Sequence, residues 1–337
     1  MYNSKVIGLG KYVPERVVTN EELTRYMDTS DEWIRERTGI EQRHWVAEGD
    51  GNTTAVMGAK AARQALERAG LKPSDIDFIV FATLSPEFFF PGSGVLLQEL
   101  LEMPTVGALD VRNQCSGFVY ATAVADQFIK TGMYKNVLVV GSEIQSTGLD
   151  VSTRGRGVSV IFGDGAGAMI LTRTEEKKKG LLAHSLHSEG KYADQLTVKY
   201  PASSFPSQKY FEHLQQNPDE TGHFPYMNGN FVFKNAVVRF QEAIAEVLQK
   251  AGMSKEDLDL LIPHQANLRI SQFIQKMFGL KDHQVYNNIQ KYGNTTAASI
   301  PIALTEAWEA GKIKENDIVV LAAFGSGFTW GANLIKW

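Results

Sequence analysis

The chain contains 337 residues with a formal net charge of −4, and 43% of the residues are hydrophobic and 21% are charged. This is the composition of a globular protein that is longer than the usual single core of about 250–300 residues. The charge balance excludes a global basic field for nucleic acid. The single cysteine excludes an internal disulfide framework and a cysteine-rich zinc site.

Membrane and secretion signals are missing from the sequence pattern. No apolar run reaches about 18 residues, the length that a membrane span requires. The opening segment MYNSKVIGLG reads as a strand and lacks the apolar segment of a signal peptide. We therefore expect a cytoplasmic protein that binds neither nucleic acid nor membrane.

Two stretches separated by 182 residues share the same order of features. Residues 69–80, AGLKPSDIDFIV, and residues 251–262, AGMSKEDLDLLI, each combine a helix end, a polar turn and the start of a strand. Helix–turn–strand units recur in all α/β proteins, so coincidence is the alternative. The neighbouring helices and strands also correspond in order, which favours two duplicated halves, residues 1–172 and 173–337.

Four apolar segments predict the class of fold. The strands DFIVFAT, NVLVVGS, LLIPHQ and DIVVLAAF are continuously apolar, which is typical of strands buried on both faces of a helix-covered sheet. The stretch around residues 201–226 contains several prolines and no sustained period, and we expect it to be a long surface excursion. Its role, functional or merely solvated, stays open.

The only cysteine lies where a predicted strand meets a predicted helix. Cys115 follows GALDVRNQ and precedes SGFVYATAVADQFIKTG, a segment that is apolar nearly all round. The N-terminus of a helix carries about half a positive charge, which favours the nucleophilic thiolate. The alternative is an inert cysteine in a hydrophobic core.

Two polar residues of the second half are candidate partners of this thiol. The repeat spacing places Cys115 opposite the helix in KYGNTTAASIPIALTEAW, so Asn294 is expected near it if the two central helices meet at their N-termini. His264 follows a buried strand, where the carboxyl ends of strands form ligand crevices. A histidine in such a position can equally be structural.

Several segments together resemble one enzyme family. DVRNQCSGF, PHQANLRI, YGNTTAAS and FGSGFTWG, with DTSDEWIRERTGI and IFGDGAGAMIL, are similar to segments of β-ketoacyl-acyl-carrier-protein synthase III, a thiolase-like condensing enzyme. The resemblance implies an α/β thiolase-like fold of two halves layered αβαβα, a homodimer, and no metal or cofactor. The implied reaction is a decarboxylative Claisen condensation of an acyl-CoA primer with malonyl-acyl carrier protein (ACP), through an acyl-Cys intermediate, which initiates fatty-acid synthesis.

The resemblance also implies roles for individual residues. The implied catalytic residues are Cys115, His264 and Asn294, and the implied oxyanion hole uses the backbone of Cys115 and the turn at Ser326. Phe90 corresponds to the residue that the partner subunit contributes to the acyl pocket. The implied coenzyme A contacts are Thr29, Trp33, Arg37, Arg156 and Asn267, and the implied carrier-docking residues are Lys234, Arg269 and Lys276.

The sequence also departs from the family pattern. Arg112, Asn113 and Gln114 precede the nucleophile where small residues are typical, Ser326 replaces a common glycine, and Met277 stands where a second lysine can occur. These changes leave open a related condensing enzyme or acyltransferase of specialised metabolism with a different acyl group. A non-catalytic acyl-CoA-binding or carrier-binding module and a thioesterase are the alternatives from other classes.

Overall fold

The structure is a computed structural model that describes residues 2–205 and 207–337. The elements of the first half are β1 (Asn3–Tyr12), β2 (Val17–Thr19), α1 (Asn20–Leu23), α2 (Asp31–Thr38), β3 (Gln42–His44), α3 (Thr54–Ala69), β4 (Phe78–Ala82), α4 (Ser93–Leu100), β5 (Gly107–Val111), α5 (Gly117–Lys130), β6 (Asn136–Glu143), α6 (Arg156–Ser159) and β7 (Gly165–Thr174).

The second half follows after a short connection. Its elements are β8 (Gly180–Ser188), β9 (Leu196–Thr197), α7 (Ser207–Gln216), β10 (Tyr226–Met227), α8 (Gly229–Lys250), β11 (Leu260–Pro263), α9 (Leu268–Phe278), α10 (Ile289–Tyr292), α11 (Ser299–Glu309), β12 (Ile318–Gly325) and β13 (Thr329–Lys336).

Each half builds one large mixed sheet, besides the two-stranded antiparallel sheets β2-β3 and β9-β10. The first has five strands in the order β1-β7-β6-β4-β5, and the second has four in the order β11-β12-β13-β8. In both sheets the apolar strands pair in parallel, β4 with β6 and β11 with β12, and an antiparallel strand follows. Every residue of β6 and β12 is buried, which confirms that these strands are covered on both faces.

The helices form three layers around the two sheets. α5 and α11 lie between the sheets, because one hydrophobic cluster joins Phe118 and Leu304 of these helices to Val80 of the first sheet and Val319 of the second. α3 and α4 cover the outer face of the first sheet, and α8 with α9 covers the outer face of the second. The expected αβαβα arrangement is therefore confirmed.

The 182-residue spacing holds in three dimensions. Phe78 and Leu260 begin the strands β4 and β11, and Asn136 and Ile318 begin β6 and β12. The two central helices are each preceded by a short 3-10 turn whose first residue has positive φ, 45° at Gln114 and 48° at Thr296. The halves are duplicated down to this backbone detail. The boundary between residues 172 and 173 itself stays a prediction.

The surface excursion differs from its prediction in one respect. It contains a ten-residue helix, α7, whose exposed residues include Phe211 at 63% exposure. Tyr210, His213 and Leu214 are its half-buried residues, at helical spacing. That apolar stripe is too short to show as a sustained period in the sequence. No helix within the described residues is long and apolar enough to cross a membrane.

Candidate active site

Cys115 lies at the end of the first sheet and at the start of the central helix. The chain leaves β5 at Val111, turns through residues Gln114–Ser116 and enters α5 at Gly117. The thiol is buried, with 8% of the residue exposed. Gly325, at the end of β12, packs against it so closely that an added Cβ would lie 2.8 Å from Cys115 Cβ. Strand β12 of the second half thus contacts the predicted nucleophile of the first.

The thiol is neutral in this environment, which corrects the expectation of a helix-stabilised thiolate. Burial raises the pKa of Cys115 to about 12, and the nearby Glu143 carboxylate contributes in the same direction. Loss of hydration disfavours the thiolate, and a backbone hydrogen bond to the sulfur only partly opposes this effect. The proton must therefore leave the sulfur during its reaction with a thioester.

His264 is held at the end of β11 by both backbone and side chain. Its N–H donates to the Ala322 carbonyl at 2.8 Å, and its ring Nδ1 lies 2.6 Å from Ser299 Oγ. Nε2 is buried and has no hydrogen-bond partner within residues 2–205 and 207–337. Burial lowers the pKa of His264 to about 3, so the imidazole is neutral at physiological pH.

Asn294 is fixed to a strand-like segment of the first half. Its N–H donates to the Ile161 carbonyl at 2.7 Å, and the Gly163 N–H donates to its carbonyl at 3.1 Å. The side-chain Oδ1 accepts the Thr296 N–H at 2.8 Å. Because the oxygen is used in this way, the amide is oriented and its Nδ2 is the group left to donate to a ligand.

One cavity joins these side chains to the surface. It has a volume of about 370 Å³, and Cys115, His264 and Asn294 all line it, together with Trp33 and Arg37. Arg37 is exposed and Trp33 is half-buried, whereas the three inner side chains are buried. The structure therefore brings the three predicted catalytic residues to one enclosed space that opens beside Trp33.

Comparisons with known proteins agree with this geometry. Residues 109–190 match the family model described as 3-oxoacyl-[acyl-carrier-protein (ACP)] synthase III, and residues 248–337 match the model of its C-terminal part. The chain is similar to the β-ketoacyl-[acyl-carrier-protein] synthase III of Alkalilimnicola ehrlichii, with 44% identity over 338 residues and 100% of both chains covered. It is 42% identical to that of Aquifex aeolicus over 334 residues, with 99% of both chains covered.

The chain belongs to the 3-oxoacyl-[acyl-carrier-protein] synthase III family. Solved structures agree: the Aquifex aeolicus synthase III superposes with a TM-score of 0.89 at 42% identity, covering 99% of this chain and 100% of that one. The Thermus thermophilus synthase III has a TM-score of 0.89 at 38% identity, with 99% of both chains covered. The priming ketosynthase of the R1128 polyketide pathway has a TM-score of 0.88 at 30% identity, covering 99% and 96%.

Of the side chains that the family pattern assigns to coenzyme A, Trp33 and Arg37 line the cavity and Arg156 contacts the Trp33 ring. Arg37 Cζ and Arg156 Cζ lie 4.5 and 4.9 Å from the centre of the Trp33 ring. Thr29 Oγ1 is buried and has no partner within the described part of the chain. An adenine stacked between Trp33 and Arg156 needs about 7 Å, two contact distances of about 3.5 Å. The Arg156 guanidinium must therefore move away from the indole if the base is to enter.

Asn267 has a structural role in addition to the predicted one. It lines the cavity. Its Oδ1 accepts the Arg269 N–H at 2.9 Å and so caps α9, and its Nδ2 donates to the Arg37 carbonyl at 2.8 Å. The residue fastens the start of α9 to the end of α2. A contact of Asn267 with coenzyme A stays a prediction.

The turn after β12 lies close to Cys115. The role of its Ser326 backbone N–H as an oxyanion donor stays a prediction. Gly325 lines the cavity and contacts Cys115. The Ser326 hydroxyl donates to the Leu196 carbonyl and so ties the turn to the segment before the excursion. The backbone N–H groups of Cys115 and Ser326 remain the predicted oxyanion hole.

The predicted docking and pocket residues lie on the outer surface. Lys234 on α8 and both Arg269 and Lys276 on α9 are exposed. Phe90 is 85% exposed and lies beside Phe89, which is 78% exposed, and it does not line the Cys115 cavity of its own chain. This placement leaves Phe90 available to a second chain. No group of three or more His, Cys, Asp or Glu side chains within residues 2–205 and 207–337 is placed to hold a metal.

Two buried polar residues near the site have no role in the sequence analysis. Ser299, which contacts His264, stands 182 residues after Gly117, so the repeat spacing could have indicated it. Glu143 ends β6 and accepts hydrogen bonds from the Ser85 hydroxyl at 2.6 Å and the Leu84 N–H at 3.1 Å. Burial raises the pKa of Glu143 to about 7. No local pattern distinguishes this glutamate from one that follows a strand at the surface.

Proposed function

We propose that this chain condenses an acyl-CoA primer with malonyl-ACP through an acyl-Cys115 intermediate and thereby initiates fatty-acid synthesis. The observation that carries the proposal is the cavity lined by Cys115, His264 and Asn294. Relatives of full length that carry the name β-ketoacyl-[acyl-carrier-protein] synthase III support the same reaction.

The first step is acyl transfer to sulfur. Cys115 Sγ attacks the thioester carbonyl of the primer, the bond from that carbon to the coenzyme A sulfur breaks, and the thiol proton passes to the departing coenzyme A. Because the buried thiol is neutral, the proton has to move as the new bond forms. The backbone N–H groups of Cys115 and Ser326 would stabilise the tetrahedral oxyanion.

The second step is decarboxylation of the malonyl group. The bond to the carboxylate breaks, CO2 leaves, and the electron pair moves onto the thioester carbonyl as an enolate. Nε2–H of His264 and Nδ2 of Asn294 are the two neutral donors available to that oxygen, each with an expected effect of about 2.7–4 kcal/mol. Because the pKa of His264 is lowered to about 3, the ring stabilises the enolate by hydrogen bonding rather than as an imidazolium.

The third step forms the carbon–carbon bond. The enolate carbon attacks the acyl-Cys115 carbonyl, the carbon–sulfur bond breaks, and the sulfur takes up a proton that ultimately comes from solvent. The products are 3-ketoacyl-ACP, CO2 and the free enzyme. The proposed route needs no metal or redox cofactor.

Two surfaces support the proposed partners. Carrier proteins are acidic, and Lys234, Arg269 and Lys276 present positive charge on α8 and α9, two helices that line the cavity.

The second surface lies at the edge of the first sheet. β5 is an edge strand of this sheet, and the exposed aromatic residues 88–90 precede it in the chain. Edge strands and exposed apolar residues are covered in stable proteins, which supports the proposed homodimer.

The test separates the steps. The protein is mixed with a series of acyl-CoA primers, and mass spectrometry is expected to show one acyl group on Cys115. Addition of malonyl-ACP is then expected to give 3-ketoacyl-ACP. Free acid without ketoacyl product would indicate a thioesterase, and no acylation with any primer would indicate a binding module. Either result would overturn the proposal, and the preferred chain length identifies the primer.

Cys115→Ala is the matched control for these measurements. We expect it to abolish acylation and condensation while the midpoint of thermal unfolding changes by only a few degrees, since the change removes one buried sulfur and costs about 1 kcal/mol. Circular dichroism and thermal unfolding check the fold. Loss of folding in this variant would instead favour a cysteine retained for core packing.

A further inference from the structure

The duplicated halves place two equivalent pairs of residues in contact. Ala82 and Gly117 of the first half correspond to His264 and Ser299 of the second at the 182-residue spacing. A Cβ added at Gly117 would lie 3.3 Å from Ala82 Cβ, and His264 Nδ1 lies 2.6 Å from Ser299 Oγ. The same helix start therefore touches the same strand end in both halves. Only the half that carries an imidazole also carries a hydroxyl.

The available hydrogen-bond partners determine which of the two groups, the Ser299 hydroxyl or His264 Nδ1, is the donor. Ser299 and His264 are 2% and 3% exposed, so an unpaired polar hydrogen is costly at this position. Ser299 Oγ already accepts the Gln265 N–H at 3.4 Å. No other acceptor for the Ser299 hydroxyl hydrogen lies within hydrogen-bond distance in the described part of the chain. If Nδ1 carried the ring proton, this hydroxyl hydrogen would be buried without a partner.

We infer that Ser299 is a positioning residue whose hydroxyl donates to His264 Nδ1 and so fixes the imidazole in the tautomer that carries its proton on Nε2. This inference rests on the proposed function, in which His264 Nε2–H donates to the malonyl thioester oxygen. Nε2 is the buried ring atom with no partner in residues 2–205 and 207–337, and His264 lines the cavity. The opposite tautomer would present a lone pair to the enolate oxygen and repel it.

The neutral state of the ring makes this choice necessary. An imidazolium donates from both nitrogens, whereas a neutral imidazole donates from only one. A hydrogen-bond donor to Nδ1 therefore leaves the ring proton on Nε2, which can then donate a hydrogen bond. Burial alone lowers the pKa of His264, and Ser299 Oγ is the side-chain atom within hydrogen-bond distance of Nδ1 in the described part of the chain.

The direct test is the tautomer itself. The chain is labelled with ¹⁵N-histidine, the His264 signals are assigned with His264→Ala, and the two ring nitrogen shifts are measured near pH 7. We expect Nε2 to be protonated in the native chain and the Nδ1-protonated form to become populated in Ser299→Ala. A native chain protonated on Nδ1, or a Ser299→Ala spectrum with an unchanged tautomer, would overturn the inference.

Kinetics of the two half-reactions supply the second test. Ser299→Ala should lower the condensation rate about tenfold, as expected for loss of one hydrogen bond of about 1.4 kcal/mol, and leave the acylation rate of Cys115 within about twofold. The double variant Ser299→Ala/His264→Ala should be no slower than His264→Ala alone. A merely structural serine would slow both half-reactions together and add to His264→Ala, and that result would contradict the inference.

Control variants separate tautomer from packing. Thr305→Val removes another buried hydroxyl of the same helix, one that donates to the Pro301 carbonyl at 2.7 Å, and should leave both half-reactions unchanged. Ser299→Thr retains the hydroxyl and should retain the native tautomer. If Ser299→Ala does not fold, Ser299→Cys preserves the size of the side chain with a weaker donor, and the native spectrum alone already tests the tautomer. A native tautomer on Nε2 without condensation would support the inference and overturn the proposed function.

Discussion

At the scale of single residues, burial sets the protonation state of the site. Cys115 and His264 are both neutral near pH 7, because burial raises the pKa of the thiol to about 12 and lowers that of the imidazole to about 3. Both residues are therefore uncharged before a substrate binds. In the proposed reaction Cys115 then loses its proton, and His264 donates a hydrogen bond. A neutral site also avoids an unpaired charge in the core.

The buried imidazole makes folding sensitive to acid. Because the unfolded histidine has a pKa near 6.5 and the folded one near 3, the unfolded chain binds an extra proton between these values, and the free energy of unfolding falls as the pH falls. This group alone should contribute a loss of roughly 1–2 kcal/mol between pH 6.5 and pH 5. We expect His264→Ala to show a correspondingly shallower pH dependence, measured by urea unfolding at several pH values.

A second histidine provides the control for that measurement. His283 is exposed, so His283→Ala should preserve the native slope of unfolding free energy against pH. Parallel slopes for the native chain and His264→Ala would show that the folded imidazole is protonated more easily than its burial indicates.

At the scale of elements, helix α9 has two different faces. Its buried side packs Ile270 and Ile274 into the core of the second half, and its outer side presents Lys276. Its start is fixed to α2 through Asn267, so the position of the outer face is coupled to the mouth of the cavity. A carrier protein on this face could deliver its acyl group beside Trp33.

Charge reversal tests that face. We expect Lys234→Glu/Lys276→Glu to raise the KM for malonyl-ACP about tenfold, because like charges repel the acidic carrier, while acylation of Cys115 by acyl-CoA is unchanged. Arg269 is left in place because it also lines the cavity. Steady-state kinetics at low salt measure the effect, which should shrink near 1 M salt.

A remote lysine shows whether the effect is local. Lys312 is exposed after α11, and Lys312→Glu changes one charge at a site that does not line the cavity. Equal increases in KM for Lys312→Glu and for Lys234→Glu/Lys276→Glu would argue for net charge rather than a docking face.

At the scale of the whole molecule, the catalytic chemistry depends on contacts between the halves. The first half supplies Cys115 and the second supplies His264, Asn294 and the turn at Gly325. The two central helices meet because each packs between both sheets. Neither half could assemble this cavity alone. The contribution of Phe90 from a second chain to the acyl pocket stays a prediction.

Mixed dimers test the contribution of Phe90. We expect Phe90→Ala to change the preferred acyl chain length, because a large apolar side chain is removed from the partner's pocket. When Phe90→Ala and Cys115→Ala chains are combined, the dimer that forms has one site with an intact Cys115 and an intact Phe90 from the other chain. That heterodimer, separated from both homodimers, should recover the native chain-length preference, measured with a panel of acyl-CoA primers.

The two variants measured separately are the controls for this experiment. Cys115→Ala alone should be inactive, and Phe90→Ala alone should keep its altered preference. Mass spectrometry verifies that the dimer contains both chains. If this heterodimer has the same chain-length preference as Phe90→Ala, Phe90 does not act on the partner's pocket.

Features that depend on local patterns and on spacing along the chain could be predicted from the amino-acid sequence. Continuous apolar runs predict the buried strands, the 182-residue repeat predicts the two halves, and motif resemblance predicts Cys115, His264 and Asn294 as the catalytic residues. These features are predictable because backbone hydrogen bonding and hydrophobic periodicity act between residues close in sequence.

Features that depend on burial and on contacts between distant residues became visible only in the folded chain. The neutral thiol, the Ser299–His264 contact and the stacking of Arg156 on Trp33 each join residues far apart in the chain or depend on their shared burial. Helix α7 likewise forms from a short stripe that is too weak to stand out in the sequence. Hydration, hydrogen-bond partners and close packing are properties of the folded chain, so no local pattern can supply them.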